Sequence, residues 1–384
     1  MEYSYARAVV QEYSLFGGKM INKILFHINS LGKGGAERVV TTLAAKMAQM
    51  GKEVYVATLW TALDEYQLAD GVRRIDLSLN ESQSKLSNGK IRSLRQKKLR
   101  DAIKETKPDV VFSFCRNANY RAILAAGSTP VIYSVRSDPK VDYASKKQKL
   151  LASFLYKRAA GGVFQTEEAR QYFGDNIAKK SCVILNPLSE KYSLACPFDG
   201  ERQKNVVSVG RFHEAKDQLT LIKAFELVLK EHPEYELHFY GDRSEDNTID
   251  TIKAYISDHK LESKVILKGN SNSLEKDIID AGVFVLPSKY EGMPNALVEA
   301  MALGLAVVST DCPCGGPRMI IDDGCNGLLC DVGDEKLMAI AINKYIEHPD
   351  KAAELGKKAR EIVNLTDPLA IANEWLNYAE KCIR

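Results

Sequence analysis

The most constraining feature of the sequence is an alternation of short β-branched runs with amphipathic helical stretches, which begins near residue 21 and restarts after residue 204. This pattern predicts parallel strands joined by helical crossovers, and therefore doubly wound sheets. A chain of 384 residues is too long for one ordinary core and suits two. We predict an α/β protein with two Rossmann-like domains facing a central cleft, at the carboxyl ends of their strands.

The two series of predicted elements are separated by a polar, turn-rich segment at 186–204. The first series comprises strands at Ile24–Ile28, Glu53–Thr58, Val110–Phe114, Val131–Ser134 and Gly162–Gln165, with a helix at Glu37–Gln49. The second comprises strands at Asn205–Val209, Glu236–Tyr240, Val265–Lys268, Val283–Pro287 and Ala306–Thr310, with a helix at Asp217–Glu231. We predict an extension with little role at 1–19, domains at 20–190 and 191–366, and a last helix within 367–384.

Composition excludes several classes of protein. No stretch approaches the roughly 18–20 apolar residues of a membrane span, and the first 20 residues lack a signal-peptide core. The eight cysteines form no Cys-x-x-Cys pair, which favours reduced thiols over zinc or disulfides. We therefore expect a cytoplasmic protein. The net charge of +3 hides an asymmetry, because residues 1–199 carry +12 and the remainder −9.

A glycine-rich turn follows the first predicted strand and opens the first helix. It reads Ser30-Leu31-Gly32-Lys33-Gly34-Gly35-Ala36-Glu37 and is neither a P-loop nor Gly-x-Gly-x-x-Gly. Gly34 and Gly35 let the backbone approach a ligand closely, and the helix N-terminus offers unpaired N–H groups to a phosphate. A tight turn that requires glycine for structural reasons explains the motif equally well.

Two further motifs follow strands of the second series. In Val209-Gly210-Arg211-Phe212-His213-Glu214-Ala215-Lys216, the cations Arg211 and Lys216 can converge on a diphosphate, although two solvated surface cations are the alternative. In the second motif Glu291 precedes a predicted helix and Glu299 lies inside it. Carboxylates placed there can accept hydroxyl hydrogen bonds, whereas a capping Glu291 and a solvated Glu299 are the alternative. The residues between them that start the helix are Gly292, Met293, Pro294 and Asn295.

Together these motifs resemble those of the family 4 retaining glycosyltransferases of GT-B fold, the bacterial glycosyl transferase group 1. The family has a Gly-Gly turn, an Arg-x4-Lys pair and a Glu-x7-Glu motif, matched by Gly34-Gly35, Arg211 with Lys216, and Glu291 with Glu299. Asn186-Pro187 matches its interdomain hinge. The resemblance runs from about residue 21 to 382 and implies that the final helix crosses back onto the first domain.

The resemblance also implies roles and substrates. Arg211, Lys216 and the Gly35 backbone would hold the donor diphosphate, Glu291 the transferred sugar and Glu299 the ribose. The first domain would bind the acceptor, a glycan or a polyprenyl-diphosphate-linked glycan of cell-surface polysaccharide assembly. The donor would be a nucleotide-diphosphate sugar, by family habit a UDP-sugar, and the enzyme a hexosyltransferase or N-acetylhexosaminyltransferase.

The sequence contains no Asp-x-Asp motif, with which many transferases hold a divalent metal. Arg211, Lys216 and helix N-termini can stabilise a leaving diphosphate without one, so we expect no metal and no other cofactor. The family retains anomeric configuration, and in the favoured mechanism the leaving phosphate oxygen accepts the acceptor's proton. Glu291 and Glu299 as a hydrolase-like nucleophile and acid are the competing mechanism.

The sequence departs from the family where many relatives have a first-domain His that contacts the donor sugar. The corresponding stretch reads Tyr133-Ser134-Val135-Arg136-Ser137-Asp138-Pro139 and contains no His. Arg136 is therefore our candidate for a donor or acceptor phosphate contact. A structural salt bridge between Arg136 and Asp138 is the alternative.

Two basic clusters lie in the first domain. One comprises Lys85, Lys90, Arg92, Arg95, Lys97, Lys98, Arg100, Lys104 and Lys107. The other comprises Lys146, Lys147, Lys149, Lys157 and Arg158, interleaved with Leu150, Leu151, Phe154 and Leu155. Basic amphipathic helices suit anionic membranes, so we predict peripheral contact with the inner face of the plasma membrane; a solvated basic face is the alternative. Nucleic acid is not expected, since no recognition motif accompanies the charge.

Two other functions remain compatible with the sequence. A nucleotide-sugar epimerase of GT-B-like fold would share the cleft but would leave the basic first domain unexplained. A non-catalytic protein that binds sugar nucleotides or anionic lipid is the second alternative, against which the intact motifs argue.

Overall fold

The computed structural model describes residues 20–244 and 246–383. The predicted extension at 1–19 therefore lies outside the described residues. The chain forms two parallel β-sheets, and helices connect their strands. This architecture confirms the predicted fold class of two Rossmann-like domains.

The first sheet has seven parallel strands in the order β3-β2-β1-β4-β5-β6-β7. The strands are β1 (Lys23–His27), β2 (Glu53–Thr58), β3 (Val72–Asp76), β4 (Val110–Phe114), β5 (Val131–Ser134), β6 (Gly161–Phe164) and β7 (Ser181–Val183). The helices are α1 (Gly35–Gln49), α2 (Glu81–Ser84), α3 (Asn88–Thr106), α4 (Arg116–Ala125), α5 (Pro139–Asp142), α6 (Lys146–Tyr156), α7 (Glu167–Gln171), α8 (Asp175–Ala178) and α9 (Glu190–Ser193).

The second sheet has six parallel strands in the order β10-β9-β8-β11-β12-β13. The strands are β8 (Asn205–Val209), β9 (Glu236–Tyr240), β10 (Val265–Gly269), β11 (Val283–Leu286), β12 (Ala306–Thr310) and β13 (Leu328–Cys330). The helices are α10 (Gln218–Glu231), α11 (Thr248–Asp258), α12 (Leu274–Ile278), α13 (Asn295–Ala302), α14 (Gly316–Ile320), α15 (Glu335–Glu347), α16 (Pro349–Ala359), α17 (Ile362–Leu365) and α18 (Pro368–Ile383). A short 3₁₀ turn, Glu214–Lys216, precedes α10.

The central strands are buried on both faces, as helical layers on either side of a parallel sheet require. All five residues of β4 and of β12 are buried. A central strand of this kind cannot alternate between polar and apolar residues, which explains why continuous β-branched runs predicted these strands well.

Three strands were missed by the sequence analysis. β3 is an edge strand with the sequence Val-Arg-Arg-Ile-Asp and no buried residue, so its apolar signal is weak. β7 and β13 are also edge strands and have three residues each. The predicted strands at Gly162–Gln165 and Ile24–Ile28 begin and end one residue earlier in the structure.

The last helix, α18, packs against the first domain although it follows the second in sequence. Trp375 is fully buried there, and its ring lies 5.2 Å from Phe112 and 5.3 Å from Phe114, between ring centres. Tyr378 accepts a hydrogen bond from the Gly162 amide at 2.9 Å. Along the ranges that the structure describes, no helix combines the length and the apolar character needed to cross a bilayer.

Candidate active site

A cleft of about 930 Å³ opens where the carboxyl ends of the two sheets face each other. Residues from both domains line it. Eleven of the predicted site residues are among them: Gly34, Gly35, Arg136, Gly210, Arg211, Lys216, Glu291, Met293, Pro294, Asn295 and Glu299. Gly292 is not among the lining residues.

Lys216 and Glu291 form an ion pair on the second-domain side of the cleft. The Lys216 Nζ donates to Glu291 Oε1, and the Ser288 hydroxyl donates to the same oxygen at 2.7 Å. The Glu291 amide donates to the Pro313 carbonyl at 2.8 Å, which holds the loop after β11 against the loop after β12. The carboxylate is therefore placed by both its side chain and its backbone.

Arg211 lies in the loop after β8 and has no ion-pair partner within 4 Å among residues 20–244 and 246–383. Its backbone carbonyl accepts a 2.9 Å hydrogen bond from Gln218 Nε2, at the start of α10. Across the cleft lies Glu37 of α1, whose pKa is raised by burial, an effect that Arg211 partly offsets. The cleft thus contains an exposed guanidinium that forms no ion pair in the described ranges and that shares the cleft with the Lys216 ammonium, an arrangement suited to an anion.

The N-terminus of α1 lies on the opposite side of the cleft. Gly34 precedes the helix and makes no side-chain cap, and a Cβ at this position would lie 2.3 Å from Glu37 Oε2. That atom is the far end of a flexible side chain and can move aside, and the Gly34 backbone is extended with a φ of −123°, so neither the space nor the conformation demands glycine here. Asn295, the first residue of α13, donates from Nδ2 to the Gly35 carbonyl at 3.3 Å and so joins the two domains.

Glu299 is buried and ion-paired, which contradicts the alternative of a solvated side chain. It lies inside α13 with 5% of its surface exposed, and its Oε1 contacts Arg38 Nη1 of α1. Burial raises the pKa of Glu299, and the Arg38 charge and a hydrogen bond from Tyr192 act in the opposite direction. This pair crosses from the first domain to the second.

Arg136 does not pair with Asp138, so that alternative is wrong. Asp138 instead caps α5, where its carboxylate accepts from the Lys140 amide at 2.8 Å. The Arg136 guanidinium donates to Asn186 Oδ1 and to the Ser134 hydroxyl, the latter at 3.3 Å. Its Nε has no partner among the described residues, and burial lowers the pKa of Arg136 to about 10. A cleft cation without a carboxylate partner favours an anionic ligand.

Gly292 lies where the domains touch. A Cβ at this position would be 2.1 Å from Gln165 Oε1 and 3.2 Å from the Arg136 carbonyl. Gln165 in turn donates to Asn186 Oδ1 at 2.9 Å, and the Asn186 amide group reaches Asn295 Oδ1 at 2.6 Å. Gly292 thus permits close contact between the two domains, and its role in donor binding stays a prediction.

Cys115 has a strained backbone at the end of β4. Its φ of 72° and ψ of 151° lie in a region that is essentially restricted to glycine, and the residue lines the cleft. Burial raises the pKa of the Cys115 thiol to about 12. The thiol is therefore protonated at neutral pH and is not activated as a nucleophile.

Sequence reasoning missed Arg38, Glu37, Gln165 and Tyr192 as parts of the site. Arg38 lies one turn into α1, three residues after Gly35, so its position beside a glycine-rich turn was the available signal. Gln165 and Tyr192 carry no motif; tertiary packing brings Gln165 to the cleft and places Tyr192 in the core against Glu299. Asn186 was recognised as a hinge, but its hydrogen bonds across the domains were not foreseen.

Comparisons with known proteins identify the family to which this cleft belongs. The family model described as "Glycosyltransferase Family 4" matches residues 33–190, and "Glycosyl transferases group 1" matches residues 198–362. The chain therefore belongs to the family 4 glycosyltransferases of the GT-B type, as its motifs predicted. It is a glycosyltransferase.

Individual relatives are similar over nearly the full length. The N-acetylgalactosamine-N,N'-diacetylbacillosaminyl-diphospho-undecaprenol 4-alpha-N-acetylgalactosaminyltransferase of Campylobacter jejuni is 27% identical over 93% of this chain and 99% of its own. A second Campylobacter jejuni enzyme is the GalNAc-alpha-(1->4)-GalNAc-alpha-(1->3)-diNAcBac-PP-undecaprenol alpha-1,4-N-acetyl-D-galactosaminyltransferase. It is 26% identical over 92% of this chain and 97% of its own. Anabaena HepE, solved with UDP, has the same fold: its TM-score is 0.77 at 19% identity, over 94% of this chain and 100% of that one.

Proposed function

We propose that this glycosyltransferase is retaining and metal-independent, and that it moves a hexosyl or N-acetylhexosaminyl group from a UDP-sugar to a diphosphate-linked lipid glycan during surface-polysaccharide assembly. The observation that carries the proposal is the exposed Arg211 beside the Lys216–Glu291 pair in an interdomain cleft. The printed names of relatives that act on diphospho-undecaprenol glycans support the acceptor class, and the UDP found in HepE supports the nucleotide.

The leaving diphosphate requires positive charge at the moment its bond to the sugar breaks. Arg211 supplies a fork of N–H donors, Lys216 a mobile ammonium, and the N-terminus of α1 at Gly35 its unpaired amides. Because the chain itself places two cations there, no metal is needed to stabilise the departing charge. Loss of one such contact reduces rates by about 10²–10³-fold.

Glu291 and Glu299 have separate roles in this proposal. Glu291 accepts hydrogen bonds from hydroxyls of the transferred sugar, in a position fixed by Lys216 and Ser288. Glu299 accepts from the ribose hydroxyls, and Arg38 orients its carboxylate.

The anomeric configuration of the sugar is retained if the acceptor hydroxyl attacks the anomeric carbon on the same face from which the diphosphate leaves. The departing phosphate oxygen then takes the proton of the acceptor hydroxyl. Both carboxylates are already engaged by a cation, Glu291 by Lys216 and Glu299 by Arg38. Ion pairing makes each a poor nucleophile, which argues against the hydrolase-like alternative.

Membrane contact is proposed through α6. Its outward face carries Leu150, Leu151 and Phe154, which are 70%, 50% and 62% exposed, and no acidic residue occurs between Asp142 and Glu167. Leu155, which the sequence analysis included in this face, is buried at 4% and packs inward. Exposed apolar side chains flanked by lysines suit an anionic bilayer surface.

The catalytic proposal is tested with UDP-sugars and a diphosphate-linked lipid acceptor. Lys216→Ala should lower kcat/KM by about 10²–10³-fold, since it removes charge from the leaving group. The matched control is Lys289→Ala, because Lys289 is a half-exposed lysine of the same domain whose Nζ lies 3.4 Å from Glu214 Oε1. Equal rates in the two variants would refute the role of Lys216, and release of an epimerised sugar without transfer would favour the epimerase.

Flotation with vesicles containing phosphatidylglycerol tests the membrane contact. Wild type should float with the vesicles at low salt, and the double variant L150S/F154S should not. The control L337S/I340S changes two exposed apolar residues on α15 of the second domain, 41% and 63% exposed. Flotation of L150S/F154S at the wild-type level would exclude α6 as the contact.

A further inference from the structure

A second group of cations lies at the carboxyl edge of the first sheet, outside the donor site described above. We call it the Arg95–Arg121 cluster; it consists of Arg95 of α3, Arg121 of α4, His27 at the end of β1, and Asn29 and Trp60 in the loops after β1 and β2. Asn29 also lines the interdomain cleft. The cluster is therefore a continuation of the cleft on the first-domain side.

Among the residues that the structure describes, the acceptors of the Arg121 guanidinium are neutral. Its Nη1 lies 3.0 Å from His27 Nε2 and 3.4 Å from Asn29 Oδ1. His27 is fully buried, and its Nδ1 donates to the Ala57 carbonyl at 2.9 Å, so its Nε2 must be the unprotonated acceptor of the Arg121 hydrogen bond. Burial and the Arg95 charge lower the pKa of Arg121 to about 10.

Arg95 lies against the ring of Trp60, with 5.5 Å from its guanidinium carbon to the ring centre. Its Nε is shielded from solvent and has no partner among residues 20–244 and 246–383. Within the same ranges, neither Arg95 nor Arg121 has a carboxylate within 4 Å. Two adjacent guanidinium groups that lack a counter-charge destabilise each other, unless an anion binds between them.

The carboxylates of the surrounding loops are already engaged elsewhere. Glu65 pairs with Arg74 at 2.6 Å and accepts from the Ala62 amide at 2.7 Å. Asp64 pairs with Lys33 at 2.7 Å. Neither of these carboxylates is therefore available to the two arginines, which favours an anionic ligand as their counter-charge.

We propose that the Arg95–Arg121 cluster binds the diphosphate group of the acceptor, with the Trp60 ring covering the neighbouring apolar or sugar unit. This inference rests on the proposed function, in which the acceptor carries a diphosphate and the first domain binds it. Two guanidinium groups match diphosphate oxygens in geometry as well as charge. Trp60, 39% exposed, offers an apolar face directly beside them.

Tryptophan fluorescence provides a direct readout, because the chain has only two tryptophans and Trp375 is fully buried in the core. Geranyl diphosphate and inorganic pyrophosphate are titrated separately at constant ionic strength. Each should change the emission saturably, and Trp60→Phe should abolish the change. A larger affinity for geranyl diphosphate would identify the lipid-linked diphosphate as the ligand, whereas equal affinity would assign the site to free diphosphate and overturn the acceptor role.

Arg95→Gln should weaken geranyl diphosphate binding by about 10–100-fold, the usual effect of losing one charge-assisted contact. This variant leaves the Arg121–His27 contact in place, so it should fold as wild type does. Arg121→Lys keeps the charge but not the fork and should weaken binding less than Arg121→Gln. The matched control is Arg100→Gln, exposed on α3 about 140° around the helix from Arg95. Equal binding by the Arg95 and Arg100 variants would overturn the proposal.

The variant R211A/K216A separates this site from the donor site. It should lose UDP binding but keep the Trp60 response, by which we mean the saturable change in Trp60 emission on addition of geranyl diphosphate. If the Trp60 response disappears in R211A/K216A instead, the diphosphate occupies the donor site and the cluster is not a binding site. If UDP never binds while the Trp60 response survives, the donor proposal fails and the cluster stands.

Discussion

The buried ion pair between Arg38 and Glu299 permits a quantitative prediction. Their side chains are 22% and 6% exposed, and the pair joins α1 of the first domain to α13 of the second. Removing one partner of a buried pair typically costs 3–5 kcal/mol, because the other charge stays buried without compensation. The hydrogen bond from Tyr192 to Glu299 is still present in Arg38→Met. We therefore expect this variant to lose free energy of unfolding at the lower end of the range, about 3 kcal/mol.

Calorimetry of Arg38→Met should show this loss as a lower Tm of the second domain. A domain of this size shifts by about 2–4 °C per kcal/mol, so the expected decrease is about 6–12 °C. The double variant R38M/E299Q should recover most of it, because no charge is then left unpaired. The matched control is Lys46→Met, which removes another α1 cation; its partner Glu190 is 57% exposed, so the effect should be about 0–1 kcal/mol.

The loss should depend on pH with a defined sign. Burial raises the folded-state pKa of Glu299 above its ordinary 4.5, so between these two values the folded state holds more protons than the unfolded state. Stability therefore falls as pH rises through that window. Arg38→Met removes the positive charge that opposes the burial-induced rise in the pKa of Glu299. The stability that the variant loses relative to wild type should therefore grow with pH and shrink toward pH 4.5. A deficit below about 0.5 kcal/mol at every pH would refute the reasoning, since it would mean that the carboxylate is solvated.

Three further changes test other parts of the structure. Trp375→Ala should destabilise the first domain by about 3–5 kcal/mol, because the ring fills the core between Phe112 and Phe114. A loss of less than about 1 kcal/mol, measured by urea unfolding, would argue against docking of α18 on that domain. Gly292→Ala should lower transfer activity at least tenfold by forcing the domains apart. The control Gly89→Ala should leave activity unchanged, because a Cβ at Gly89 would have no neighbouring atom within 4 Å. Equal activities of the two variants would contradict this prediction. Lys107→Gly should raise stability by about 0.5–1 kcal/mol by relieving its φ of 48°, and a lower urea midpoint would count against it.

The fold and most of the cleft could be predicted because their determinants are local. Buried parallel strands need continuous apolar runs, so β2, β4, β5, β8, β9 and β12 were predicted with the bounds that the structure has. Arg211, Lys216, Glu291 and Glu299 follow strand ends, and topology brings such positions to one edge of a sheet. Edge strands such as β3 escaped prediction because exposure removes the apolar signal.

Other features depend on contacts between distant segments, which no local pattern encodes. The sequence alone indicated two doubly wound sheets, the glycine turn and the cationic and acidic motifs, because the strand runs and the motif spacings that signal them each lie within a short segment of the chain. The tertiary structure decided that Glu299 pairs with Arg38 and that Gly292 lies at the domain contact. It also decided that Asp138 caps a helix, while Arg136 donates to Asn186 and Ser134 and forms no ion pair in the described ranges. Folding also decided that Arg95 and Arg121 come together with no ion-paired carboxylate among the described residues, because only folding brings α3 and α4 to the same edge of the sheet.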